Sequence, residues 1–250
     1  MSTSARMGEI TAASPRTIGR LAGVCQLSES VTATFGQVII LGRMIVAGDA
    51  AATAANLLGH ERLVWTGFAS SVLAAVLHIA WAFLMYDLLK PVSRRLAQFA
   101  LLVMLMGCVM LAVTALLYIA PLLVLQGGSS LSAFTTGQSQ SLAATFLKLN
   151  AYAFDIHTIY FGLWCVLTGF LILKSTFLPR ILGILLMFSG LGWLLYLSPT
   201  FAVSIFPVIA ALSAIGEIPL ELWLIVKSVN EQRWYERAAV AGIPLRAGRA

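Results

Sequence analysis

KPVSRRLAQFALLVMLMGCVMLAVTALLYIAPLLV, residues 90–124, decides how this chain is read. Lys90, Arg94 and Arg95 stand at its start, and from Leu96 to Val124 no charged side chain appears. An apolar run of roughly 20 residues is enough to cross a hydrocarbon core as a helix. Here the basic cluster sits at one end of such a run, which is how membrane helices are oriented.

Working outward, five more runs of this kind appear. The six predicted spans are 18–45, 63–89, 96–124, 152–173, 178–198 and 200–226. The chain has 250 residues, of which 60% are hydrophobic and only 10% charged. A soluble domain carries about 25% charge, so lipid must act as the solvent. The first apolar run is long, contains Glu29 and lacks a cleavage site, so it reads as a retained helix.

The net charge of +6 does not point to nucleic acid, because the basic residues sit in short connections between apolar runs. With the N-terminus placed in the cytoplasm, Arg6, Arg16, Arg20, Lys90, Arg94, Arg95, Lys174, Arg180, Lys227, Arg233, Arg237, Arg246 and Arg249 fall inside. Only Arg43, Arg62 and Lys148 fall outside. That asymmetry predicts an all-α, polytopic helical bundle with six transmembrane helices and both termini cytoplasmic. Residues 1–17 and 231–250 are expected as cytoplasmic tails, 18–230 as the membrane domain, and the chain beyond about 238 as mobile. Trp234 and Tyr235, flanked by Arg233 and Arg237, are expected at headgroup level.

The outer connections differ. Asp49 suits the N-cap of a short Ala-rich helix that Gly59 ends. Residues 126–138 read as a loop, and 139–151 as an interfacial amphipathic helix or an outward extension of the fourth span. Cys25, Cys108 and Cys165 lie in three different spans and read as small buried hydrophobes, with neither a disulfide nor a metal site implied.

Ionisable groups at membrane depth cost about 2.5–3.5 kcal/mol to insert and usually face the bundle interior. Glu29, His78 and Glu217 each lie about ten or eleven residues from the inner end of a span, so three helices bring them to one depth. Glu221 is on the face of Glu217, one turn inward, with Pro219 between. Lysine and arginine are absent from that depth. The carboxyls are therefore protonated, bind a cation, or meet water or His78. One reading is a proton- or cation-handling cluster; the other is interhelical glue, with the carboxyls bonded to Ser28, Ser30, Gln37 or Ser213.

A second polar set, Tyr152, Asp155, His157 and Tyr160, lies near the outer end of the fourth span, as an aromatic belt or a pocket rim. His78 and His157 are expected roughly seven residues apart in depth, about 10 Å, which argues against paired haem ligands. His60 is expected to cap or face water. Hydrolase, zinc-protease and nucleotide-binding motifs are absent, and no cofactor is predicted.

Gly-Asp-Ala-Ala-Ala-Thr-Ala-Ala-Asn at 48–56, Leu-Leu-Lys-Pro-Val at 88–92, Ala-Tyr-Ala-Phe-Asp-Ile at 151–156, Leu-Pro-Arg-Ile-Leu-Gly at 178–183, Gly-Glu at 216–217 and Leu-Trp-Leu at 222–224 form a joint pattern. With these, the chain resembles the bacterial membrane proteins of domain of unknown function 4386. The resemblance runs from about 17 to 230 and implies a polytopic inner-membrane protein without an assigned activity. It points to Asp49, Asn56, Asp155, Arg180 and Glu217. Members often carry a histidine after the fourth-span Phe-Gly step, and here Phe161-Gly162-Leu163-Trp164-Cys165 has none.

Three functions stay open. The first is binding or moving a small molecule or proton through a cavity lined by Glu29, His78 and Glu217. The second is a membrane-embedded enzyme acting on a lipid or quinone-like substrate, with Asp155 and His157 near the outer surface. The third is an assembly or regulatory partner. The lipid bilayer is the expected surrounding, a lipid or small molecule the candidate ligand, and the oligomeric state is left open.

Overall fold

The computed structural model describes residues 13–128 and 132–243. Arg6, Arg246 and Arg249 lie outside those residues, with 1–12 of the expected N-terminal tail and 244–250 of the C-terminal one. Among the described residues there are helices and no strands.

The first span is one rod in three parts. α1 (Pro15–Ala33) starts on Ser14, whose hydroxyl accepts from Thr17 N, with Pro15 in the first turn where its missing N–H costs nothing. It continues through a π-helical stretch, Thr34–Leu41, into a last turn, α2 (Gly42–Met44). α3 (Ala50–Gly59) follows, capped as expected by Asp49, which accepts from Ala52 N at 2.8 Å. His60 ends it, with Nδ1 against Asn56 O at 3.0 Å.

α4 (Glu61–Leu89) and α5 (Arg94–Gln126) form the second and third spans, joined by a tight turn in which Ser93 caps α5. α6 (Thr136–Lys174) is the longest helix, at 39 residues. A Thr135/Gln138 capping box starts it, so residues 139–151 extend the fourth span outward. α7 (Arg180–Leu194) ends in a 3₁₀ turn, Leu195–Leu197. The sixth span is shorter than the sequence suggests: a single-turn helix α8 (Pro199–Ser204) breaks at Ile205, and α9 (Phe206–Val226) begins after it. Pro207 explains the break, since its ring and missing N–H cannot continue α8.

Six helices are thus long and apolar enough to cross a membrane. Each packs on its neighbours in the chain, and α1 packs on both α4 and α9, so the six close into a ring. The outer face is apolar and exposed, with Val38 at 65%, Leu102 at 61% and Leu116 at 65%. Large exposed aliphatic side chains over the whole circumference are unfavourable in water and natural in lipid. The ring interior holds Trp81, Met104, Trp164, Cys165, Leu186 and Leu220.

Two seams depend on glycine. On α6 and α7, Gly162 meets Gly190 and Gly169 meets Gly183: a Cβ on Gly190 would lie 2.5 Å from the Gly162 carbonyl oxygen, and one on Gly183 2.5 Å from that of Gly169. Seven residues separate the glycines on each helix, so the antiparallel backbones touch at two points two turns apart. On α1, Gly19 and Gly23 lie against Ser228 and the Glu221 backbone.

The segment beyond the last span is not a free tail. α10 (Glu231–Val240) is capped by Asn230 and docks on the bundle end. Trp234 is buried there, its Nε1 donating to Leu88 O at 2.9 Å, and Arg233 reaches Thr176 O at 3.2 Å. Trp234 therefore anchors a helix against protein, whereas a headgroup position was expected. The amphipathic spacing of Trp234 and Ala238, both buried on one face, is the signal that gives this helix away.

Candidate functional site

The ring carries a polar layer to which each span contributes. From α1 comes Glu29 and from α4 His78; Nδ1 of His78 stands 3.2 Å from Glu29 Oε1, with side-chain exposures of 2% and 13%. That is an ion-pair distance without hydrogen-bond alignment. Nε2 of His78 lies 2.9 Å from Met104 Sδ on α5. From α6 comes His157, whose Nδ1 lies 3.0 Å from Gly107 O. A carbonyl only accepts, so His157 carries its proton on Nδ1; a thioether is likewise an acceptor, so His78 carries one on Nε2. His78 Nδ1, lone-paired in that tautomer, then faces Glu29 Oε1. Either form of the pair, acid with neutral imidazole or carboxylate with imidazolium, is neutral overall.

His78 and His157 are neighbours. Their ring centroids are 5.3 Å apart, edge to face. The 10 Å offset expected from counting inward is not there, so Lys174 and Lys90 do not mark the same level. His157 thus leaves the outer set and joins the intramembrane layer.

Glu217 makes its hydrogen bonds to α7 and to its own helix. Its Oε1 accepts from Ser189 Oγ at 2.5 Å, Trp193 Nε1 at 2.7 Å and Ser213 Oγ at 2.8 Å, tying α7 to α9. The Phe161 ring lies 5.7 Å from that of His78 and 6.3 Å from that of Trp193. Three donors on one oxygen are what interhelical glue requires. Glu221 is buried on the α1 side of α9 and takes a hydrogen bond from Ser30. Toward the basic ends of the helices the ring interior is filled by aromatic rings, with Trp81 and Trp164 at 4.3 Å between centroids.

Among the described residues, no hydrogen bond joins Asp49 or Asn56 to Tyr152, Asp155 or His157. Asp49 caps α3, and Asn56 Nδ2 donates to Met44 O at 3.2 Å. Thr53 joins them by accepting from Val46 N at 2.9 Å, so these residues fold α3 back on the end of the first span. Tyr152 is exposed at 58%, and Asp155 is half-buried. Arg180 is exposed at the start of α7.

Gln26, Met104, Ser189 and Trp193 were not singled out in the sequence. Gln26 had a readable signal, since it stands one turn from Glu29 on the same helix face. Met104 had none, because only the ring closure brings it to His78.

A closed ring of six apolar helices with polar side chains turned inward defines a multi-pass helical membrane protein. The family model described as Domain of unknown function (DUF4386) matches residues 21–228, and the chain belongs to that family. No curated protein and no solved structure matches it.

Proposed function

We propose that this protein binds and moves protons within the membrane, using the Glu29–His78 pair as the exchangeable site. The observation that carries this is the 3.2 Å approach of His78 Nδ1 to Glu29 Oε1 inside a ring of apolar helices. Fixed pairing with a lysine or arginine would hold a carboxylate permanently charged; a carboxyl–imidazole pair gains or loses one proton with a change of a single charge. Glu217, held by three donors, serves as a structural tie between α7 and α9. The membrane-enzyme reading has less support, because His157 turns into the ring and donates to Gly107, away from Asp155.

Orientation follows the charges. Lys90, Arg94, Arg95, Lys174, Arg180, Lys227 and Arg233 gather at the connections on one end, which we assign to the cytoplasmic side of a bacterial inner membrane, with both chain ends there.

The test is proton entry into proteoliposomes driven by an imposed membrane potential and read by an internal pH dye. The native protein should acidify the lumen above the rate of empty liposomes. Glu29→Gln, which keeps size and one acceptor, should return it to that baseline. Native flux at the empty-liposome level, or an unchanged rate in Glu29→Gln, refutes the reading.

A further inference from the structure

Besides His78 Nδ1, α1 and α4 carry two buried polar atoms that no protein group satisfies. Gln26 is 1% exposed and its Oε1 has no partner; Trp81 is 0% exposed and its Nε1 has none. Their relative position follows from the register of the two helices. Glu29 faces His78, the Thr32 carbonyl accepts from Ser70 Oγ at 2.8 Å, and Gly36 lies against Gly67 and Ser71. The helices are antiparallel, so Gln26, three residues before Glu29, is level with Trp81, three residues after His78. One is an acceptor and the other a donor. They form the next rung of the seam, on the basic-end side of the Glu29–His78 pair.

A third helix borders that rung. The Glu221 backbone lies against Gly23, one turn further along α1, while its carboxyl takes the hydroxyl of Ser30, one turn back. The Glu221 side chain therefore runs along the level of Gln26. Rungs three residues apart rise about 4.5 Å, and one water making two hydrogen bonds spans about 5.5 Å. A buried donor and acceptor without protein partners are the usual setting for an internal water. The central route is unsuitable, since Trp81, Phe161 and Trp164 fill it.

We propose that Gln26 and Trp81 hold a water beside the Glu29–His78 pair, and that this water is the limb through which the pair exchanges its proton with Glu221. The water accepts from the Trp81 N–H and donates to the Gln26 carbonyl. In the transfer, a proton leaves the pair for the water oxygen as one of the water's own protons passes to the Glu221 carboxylate; only O–H and N–H bonds form and break, and nothing is oxidised. At the opposite end the seam is closed by the Tyr118 hydroxyl, which donates to the Gly36 carbonyl at 3.1 Å.

This inference rests on the proton-handling reading above, and two measurements separate their failures. The first is radiolytic hydroxyl labelling of the full chain in detergent, which marks side chains beside bound water even when they are buried. Trp81 should be oxidised in the native protein, and its labelling should fall at least fivefold in Gln26→Leu. An unlabelled Trp81, or equal labelling in Gln26→Leu, overturns the water. The second is proteoliposome flux, in which Gln26→Leu and Trp81→Phe should each slow proton entry at least tenfold, with the thermal midpoint of Gln26→Leu unchanged. Native rates in both, with Glu29→Gln at baseline, overturn the limb and leave the pair standing. A native rate in Glu29→Gln overturns both.

Discussion

Gly190→Leu will separate α6 from α7 and lower stability by about 3 kcal/mol or more, at or above the upper end of ordinary overpacking. The reason is what the new side chain would meet. A Cβ there falls 2.5 Å from the Gly162 carbonyl oxygen and 2.9 Å from Cys165 Cβ. A flexible side chain can turn away, but a helix backbone cannot. The strain also reaches the acid on the next helix, because Ser189 and Trp193, which flank Gly190 on α7, donate to Glu217. Thermal midpoint in detergent, followed by size-exclusion profile, checks this. Gly137→Leu is the matched control: a Cβ at Gly137 has nothing within 4 Å, so that variant should behave like the native protein.

The second large effect is expected at His78. His78→Phe fills similar volume but leaves Glu29 without its partner inside the ring. Removing one member of a buried charge pair costs about 3–5 kcal/mol, whereas removing both is far milder. Glu29→Leu combined with His78→Phe should therefore recover most of the loss. The size of the coupling separates the two readings of this pair. Neutral interhelical hydrogen bonds in membrane bundles average about 0.6 kcal/mol and reach about 1.7. A double-mutant cycle in a reversible unfolding assay that returns more than 2 kcal/mol identifies a pair with ionic character. A coupling within the hydrogen-bond range marks the pair as glue.

The topology was legible because lipid imposes simple rules on sequence. Each span must be long and apolar, and the basic residues must collect at alternate connections, so Lys90, Lys174 and Lys227 mark helix ends without any knowledge of packing. Asp49 was equally readable, since an N-cap is local chemistry, whereas the C-cap of α3 is His60 in place of the expected Gly59. Depth was readable from the helical rise, and it brought Glu29 to His78. Azimuth was not, so the bonds of Glu217 to Ser189 and Trp193 on α7 could not be read from the sequence. Helix-end level was the other blind spot. Counting inward from Lys174 set His157 apart from His78, whose ring it in fact neighbours at 5.3 Å. The glycine seam was silent for the same reason: Gly162, Gly169, Gly183 and Gly190 declare themselves only once α6 and α7 are known to be antiparallel partners.

The pairing of Trp234 with Leu88 shows how the basic end is finished. α10 covers the termini of α4 and the α6–α7 connection, so the short basic turns are braced by protein as well as by headgroups. Among the described residues, buried polar atoms without a protein partner lie on α1 and α4, at Gln26, His78 and Trp81, and on α10, at Arg237 Nε.

The central claim is that Glu29 and His78 hold one exchangeable proton between them. Infrared difference spectroscopy of the purified protein as pH is stepped through its folded range tests it most directly. The native protein should show a carboxyl band and an imidazole band that change together, with the carboxyl band shifting in D₂O, and Glu29→Gln should lose both changes. A Glu29 carboxyl signal that stays constant across that range, or an imidazole change that persists unaltered in Glu29→Gln, would contradict it.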